Sequence, residues 1–120
     1  LGMIHKASQI FEIDDIIPAV NQGALGVEVR KGDELMSSLV DCLNDDSSNF
    51  CCEVERSFLN EIGGGCQKPY AAIAQVFDDK VQITAMYSEA EDKSAISKKV
   101  LVSPENACKK AQELAQELIK

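Results

Sequence analysis

A thiol lies in an unusually bare stretch of the sequence. The segment NEIGGGCQKPY, residues 60–70, places Cys66 directly after three glycines and separates it from Pro69 by two residues. Three glycines remove the side chains that would shield the sulfur, and they let the backbone approach a bulky ligand. A ligand or a reagent could therefore reach this cysteine more easily than one packed on a helix. A helix stop followed by a turn, with an incidental cysteine, explains the same residues, so both interpretations stay open at this point.

The other cysteines follow neither a metal-binding nor a redox pattern. The chain has five cysteines and one histidine, His5, but no C-x-x-C pair, so no metal site is expected. An odd number of cysteines without a visible signal peptide predicts free thiols in a reducing, cytoplasmic compartment. Cys42, Cys51 and Cys108 are interpreted as small apolar core residues on helices.

The charge of the chain restricts its partners. Twelve basic residues against twenty acidic ones give a net charge of −8, and only two arginines, Arg30 and Arg56, are present. Such a field repels a phosphate backbone. No apolar run approaches the roughly eighteen residues that span a bilayer. We therefore expect neither a nucleic acid nor a membrane as a partner.

Helical periodicity defines the elements before the glycine loop. Asp33 is a suitable N-cap for a first helix, whose apolar residues are Leu35, Met36, Leu39, Val40 and Leu43. A second helix is predicted from about Asn49 to Ile62 and should end at Gly63 in a left-handed C-cap. Its apolar face repeats every fourth residue, through Phe50, Val54, Phe58 and Ile62. Its solvent-facing side is predicted to carry Glu53, Glu55, Arg56 and Glu61.

The period changes beyond the glycines. Residues 71–77, 81–87 and 96–102 are predicted strands, the first two joined as a hairpin. Ser103-Pro104-Glu105 then starts a last helix, with one apolar face formed by Ala107, Ala111, Leu114, Ala115 and Leu118. The predicted fold is α+β, a three-stranded antiparallel sheet with helices packed on one face. A short strand over Ala24–Arg30 and the first helix should precede it.

Two segments carry a resemblance to a known family. ERSFLNEIGGGCQKP, residues 55–69, resembles the cofactor-attachment segment of the porphobilinogen deaminases, also called hydroxymethylbilane synthases. IPAVNQGALGVEVR, residues 17–30, is similar to a second hallmark segment of that family. The two occur in the family's order and at about its separation. The resemblance covers essentially the whole chain, as the family's carboxyl-terminal part.

The resemblance implies a particular chemistry. It assigns Cys66 as the residue that carries a dipyrromethane cofactor through a thioether, with Gly64, Gly65 and Gln67 around it. Four porphobilinogen units would be added to this primer with loss of ammonia, giving the linear tetrapyrrole hydroxymethylbilane. Deaminated porphobilinogen is electrophilic, which suits attack by a soft sulfur. Gln22 and Gly23 would line the cleft beside the growing pyrrole chain, although a tight turn into a buried strand explains them equally.

The resemblance also implies what this chain lacks. The family binds the carboxylates of its cofactor and substrate with an arginine and lysine cluster, and it uses an aspartate in a Lys-Asp motif. Neither is found here, so no catalytic residue is assigned to this chain, which should be inactive alone. Residues 1–45 are interpreted as the tail of the preceding domains, and residues 46–120 as the cofactor-attachment domain. The missing N-terminal domains are then its partners in a monomeric enzyme, and the isolated chain is expected to self-associate through Leu35, Leu39 and Leu43.

Two other interpretations compete with this one. The chain could be a non-catalytic α+β interaction module with free thiols. It could also be a thiol redox protein that pairs Cys66 with Cys51 or Cys52, although the spacing does not favour that. Arg56 is interpreted as a structural residue paired with a nearby carboxylate, and Glu55 likewise as structural.

Overall fold

Helices and one antiparallel sheet make up the fold. The computed structural model describes residues 2–63, 69–90 and 93–120. A short 3-10 helix, Ile4–Lys6, lies near the start, and a 3-10 turn, Pro104–Asn106, leads into the last helix. The main elements in chain order are α1 (Glu34–Asp41), α2 (Asp46–Ile62), β1 (Tyr70–Phe77), β2 (Lys80–Tyr87), β3 (Ile96–Val102) and α3 (Ala107–Leu118).

The sheet confirms the predicted strands. Its order is β1-β2-β3 and both pairings are antiparallel. Phe77 pairs with Lys80, so the hairpin turn consists of Asp78 and Asp79 alone. Asp78 adopts the left-handed conformation, with φ 52°, which aspartate tolerates better than most residues. Each strand of the hairpin is one residue longer at its beginning than the sequence predicted.

The core lies between the helices and one face of the sheet, as predicted. Helix α2 packs against β1 and α3, and α3 packs against β2 and β3. All five predicted apolar residues of α3 are buried. The core cluster consists of Val54, Phe58, Ala72, Ala74, Val81, Ile83, Ala85, Tyr87 and the α3 residues Ala107, Ala111, Leu114, Ala115 and Leu118.

Local capping explains where the helices begin and end. The Asp33 carboxylate accepts the Met36 N–H at 3.0 Å, which confirms the predicted N-cap of α1. Helix α2 begins at Asp46, three residues before the predicted start, because Asp45 accepts the Ser48 N–H at 2.7 Å. It ends at Gly63, which has φ 80° and is the predicted left-handed C-cap.

The predicted strand over residues 24–30 is not formed within the described part of the chain. This segment has no ladder partner, and Leu25 is 97% exposed. A strand is stable only when a neighbour receives its backbone hydrogen bonds, and this segment pairs with neither β1 nor β3. Helix α1 likewise has no buried residue. The contacts of the N-terminal segment with the rest of the fold include Val20, which packs on the core, Asn21, whose N–H donates to Glu55, and Asp14, which pairs with Lys99 at 2.5 Å.

None of the helices in the described ranges is both long and apolar enough to traverse a lipid bilayer.

Candidate functional site

The glycine loop is held at both of its ends. On one side, the Gly63 N–H donates to the Asn60 carbonyl at 3.3 Å as α2 ends. On the other side, the Pro69 carbonyl accepts the Ser88 N–H at 2.8 Å, directly before β1. A Cβ added at Gly63 would meet no atom within 4 Å, so the loop starts next to open space. The predicted site residues Gly64, Gly65, Cys66 and Gln67 lie outside the described residues.

The other two predicted site residues form a tight, exposed turn. The Gln22 N–H donates to the Ala19 carbonyl at 2.9 Å, and the Ala24 N–H donates to the Asn21 carbonyl at 3.1 Å. Asn21 and Gly23 both adopt the left-handed conformation, with φ 59° and 85°. Gln22 and Gly23 are exposed, and a Cβ at Gly23 would also meet open space. The turn is therefore present, but it does not lead into a buried strand.

A buried carboxylate joins this turn to the folded domain. Glu55 is only 6% exposed, although the sequence placed it on the solvent-facing side of α2. One of its oxygens, Oε2, accepts the Asn21 N–H at 2.6 Å, and the other, Oε1, accepts the Ala74 N–H at 2.9 Å. Burying a carboxylate is costly unless hydrogen bonds compensate it, and here two backbone donors do so. The structural role predicted for Glu55 is thus fulfilled by backbone amides.

Arg56 does not have the carboxylate partner that the sequence suggested. Its Nε donates to the Cys52 carbonyl at 3.3 Å, one turn earlier in the same helix. Among the described residues, no carboxylate oxygen lies within 4.0 Å of its guanidinium. Arg56 is exposed and lines the groove described below.

A groove of about 690 Å³ runs between residues 21–27 and the beginning of α2. Among the described residues that line the groove, Arg56 carries the positive charge, and Asp41 and Asp45 carry the negative charges. A polycarboxylate ligand would meet more negative than positive charge there. The other polar lining side chains are those of Asn21, Asn44, Ser48, Asn49 and Cys52, and the apolar ones are Ala24, Leu25, Val27, Val40 and Leu43.

The four described cysteines are free thiols. Burial, followed by the negative charge of Glu55, raises the pKa of the Cys51 thiol, and a backbone hydrogen bond at Val76 opposes this effect. The prediction of a core position is wrong for Cys42, which is exposed at the end of α1; its thiol donates to the Leu39 carbonyl at 2.9 Å. Within the described ranges, no three histidine, cysteine or acidic side chains are close enough together to hold a metal ion.

Comparison with known proteins identifies the family. The model described as "Porphobilinogen deaminase, C-terminal domain" matches residues 49–120. A second model, "Porphobilinogen deaminase, dipyromethane cofactor binding domain", matches residues 1–38. The chain belongs to the porphobilinogen deaminase family.

Curated relatives extend this result along the whole chain. A porphobilinogen deaminase of Chlorobium phaeobacteroides is 39% identical over 124 residues, which include 100% of this chain and 40% of the relative. That of Chlorobium chlorochromatii is 37% identical with the same coverage. That of Clostridioides difficile is 34% identical over 95 residues, 79% of this chain and 32% of the relative. The chain thus spans about 40% of the length of the first two porphobilinogen deaminases.

Sequence reasoning missed how Glu55 connects the two segments that resemble this family. The available signal was its position four residues after Cys51 and three before Phe58, both on the side of α2 that faces the sheet. An acidic residue on such a face indicates a buried partner, but the periodicity does not reveal which partner.

Proposed function

We propose that this chain is the cofactor-bearing, carboxyl-terminal part of a hydroxymethylbilane synthase. The full enzyme would join four porphobilinogen molecules head to tail into hydroxymethylbilane, with release of ammonia at each addition. Membership of the porphobilinogen deaminase family carries the proposal, because two family models match successive segments of one chain. Transferase chemistry of this kind belongs to tetrapyrrole and heme biosynthesis.

Cys66 would be the attachment residue for the dipyrromethane cofactor. The Cys66 thiol would lose its proton, and its sulfur would bond to the methylene carbon of a porphobilinogen unit whose C–N bond breaks with release of ammonia. Water does not readily hydrolyse the resulting thioether. When bound, the cofactor supplies the primer to which substrate units are added. A Cβ added at Gly63 or at Gly23 would meet no described atom within 4 Å, so neither residue obstructs a bulky group. Gly64, Gly65 and Gln67 would shape the loop, while Gln22 and Gly23 would contact the growing pyrrole chain.

The cofactor and substrate carboxylates would be bound outside this chain. The net charge is −8, and the groove beside α2 contains two carboxylates against one guanidinium. A polycarboxylate needs arginine and lysine side chains in a convergent arrangement. The missing N-terminal domains would supply them, together with the catalytic aspartate, so that the chain alone is inactive. In this proposal residues 1–45 belong with those domains, and residues 46–120 form the attachment domain of a monomeric enzyme.

The location we propose is the cytoplasm. Exposed and half-buried free thiols, as found at Cys42, Cys52 and Cys108, persist where glutathione and thioredoxin keep them reduced.

The test uses the full-length protein with Cys66→Ser and, as a matched control, Cys42→Ser. Intact mass of the wild-type protein and of the control should show an adduct of two pyrrole units. Cys66→Ser should show no adduct, and its tetrapyrrole production should fall to background. Normal cofactor assembly and normal product formation by Cys66→Ser would refute the proposal. An unmodified Cys66 in a wild-type protein that forms no tetrapyrrole would favour the interaction module instead.

A further inference from the structure

The Glu55 carboxylate connects three segments that are distant in sequence. It belongs to α2, and its two oxygens reach Asn21, 34 residues earlier, and Ala74, 19 residues later. Both contacts are short, at 2.6 and 2.9 Å, and both donors are backbone N–H groups. Because backbone donors cannot rotate away as side chains do, the carboxylate fixes the positions of the main chains themselves.

The contact with Ala74 depends on the sheet topology. Strand β1 is an edge strand, so alternate N–H groups of β1 point away from β2. Ala74 directs its N–H to Glu55, so α2 lies along this free edge of the sheet. Cys51, one turn earlier on α2, is placed next to Val76, two residues further along the same edge. Glu55 therefore fixes the position of α2 along the edge of β1.

The hydrogen bond from Asn21 attaches its turn to α2. Within the described residues, no second hydrogen bond of this kind, from a backbone N–H of the turn to a buried side chain, is present. Asn21 has φ 59°, a conformation that costs free energy for any residue except glycine. Its N–H donates to the buried carboxylate, and the next two residues are Gln22 and Gly23. The turn is thereby attached to the same helix that leads into the loop of Cys66, while β1 leaves that loop on its other side.

We propose that Glu55 is a positioning residue, which holds the Gln22–Gly23 turn in a fixed position relative to α2 and β1, the elements that precede and follow the segment containing Cys66. This inference rests on the proposed function, since it gives the turn and the loop their roles. Glu55 does not touch substrate or cofactor. It acts through Gln22, because loss of the carboxylate releases the Asn21 N–H and lets the turn move away from the attached pyrrole chain.

The first experiment measures this attachment in the full-length protein. Glu55→Gln keeps the size of the side chain but leaves only one oxygen for two N–H donors. Glu53→Gln, an exposed neighbour on the same helix, is the matched control for the change of charge. Residue-level hydrogen exchange should show the amide of Asn21 exchanging about tenfold or more faster in Glu55→Gln, as expected for a lost charged hydrogen bond. Glu53→Gln should exchange like the wild type.

The second experiment measures what the attachment does for turnover. In Glu55→Gln, kcat should fall about tenfold or more, since small misplacements of reacting groups have effects of this size. The mass of the attached cofactor should not change. A double-mutant cycle then separates positioning from stability: in a Gln22→Ala background, Glu55→Gln should lower kcat by less than about twofold. A purely structural role would lower it equally in both backgrounds.

The outcomes distinguish this inference from the proposed function. Wild-type exchange at Asn21 or wild-type kcat in Glu55→Gln would overturn the inference, as would independent effects of Glu55→Gln and Gln22→Ala, while Cys66→Ser still tests the function separately. If Glu55→Gln does not fold, Glu55→Asp replaces it, because it keeps the charge but cannot reach both donors. If neither variant folds, Glu55 stabilises the core and the positioning role is refuted.

Discussion

Neighbouring residues on α2 have opposite surroundings. Successive residues of a helix point about 100° apart, so Val54 and Glu55 face the core and the sheet edge, whereas Arg56 faces the groove. The Glu55 carboxylate is stable in its buried position because both oxygens accept backbone hydrogen bonds. Arg56 stays hydrated and needs no such partner. Burial rather than residue type decides which of the two polar side chains has a fixed geometry.

The Cys51 thiol should be slow to react with alkylating reagents. Its pKa is raised, chiefly by burial, and the thiolate is the reactive form. At a given pH, less of Cys51 is therefore ionised than of an ordinary thiol, and its reaction should require a higher pH. Iodoacetamide labelling of the native protein between pH 7 and 10, read by peptide mass spectrometry, measures this. The exposed Cys42 is the internal control, and equal labelling rates at pH 8 would contradict the expectation.

At the scale of elements, α2 and β1 pack against each other, and they precede and follow the glycine-containing segment in the chain. The helix ends at Gly63 in a left-handed cap, and the strand begins at Tyr70 after Pro69 is held by Ser88. Both ends of the loop are therefore set by ordered elements.

Gly63→Ala should lower the free energy of unfolding, because Gly63 is the residue at which α2 ends. The added Cβ has open space around it, so the cost comes from φ 80° and not from a clash. A left-handed conformation costs an alanine about 1–2 kcal/mol. Urea unfolding followed by circular dichroism measures the free energy of unfolding. Gly26→Ala is the control, because Gly26 also has open space but has no positive φ, and equal losses in the two variants would contradict the explanation.

At the scale of the whole molecule, burial is distributed unevenly along the chain. Every residue of the core cluster lies at or after Val54, whereas apolar residues of the first part are exposed. Leu35 is 70% exposed, Leu39 54% and Leu43 68%. Exposed apolar surface of this kind is typical of a segment that is covered in a larger assembly. The chain spans about 40% of the length of two of its relatives.

The isolated chain should self-associate through Leu35 and Leu39 of α1 and through Leu43, two residues after the end of this helix. Burying Leu35, Leu39 and Leu43 between copies removes apolar surface from water. Sedimentation velocity over a hundredfold concentration range should show a rising average mass. The Leu35→Gln/Leu39→Gln double variant should remain monomeric, whereas Leu101→Gln, on an exposed strand position, should associate like the wild type. A wild-type chain that is monomeric at high concentration would refute the prediction.

Most of the fold from Asp33 onward could be predicted from sequence, whereas the structure of residues 24–30 could not. The strands of residues 70–102 and the buried face of α3 agree with the predictions because their partners follow closely in the chain. Residues 24–30 have strand-like composition, but no strand of the sheet pairs with them. The predicted start of α2 differs from the observed one by three residues, because the apolar repeat begins only at Phe50, whereas the hydrogen bond from the Ser48 N–H to Asp45 starts the helix at Asp46.

The candidate site was likewise predictable from the sequence in some features and not in others. The sequence alone determined the repeating apolar faces, the helix stop at Gly63 and the isolated thiol behind it, because these depend on side-chain type and local backbone preference. Only the tertiary structure decided that Glu55 is buried and that it joins Asn21 to Ala74. Such a contact spans tens of residues and depends on which edge of the sheet is free, and no local pattern contains that information.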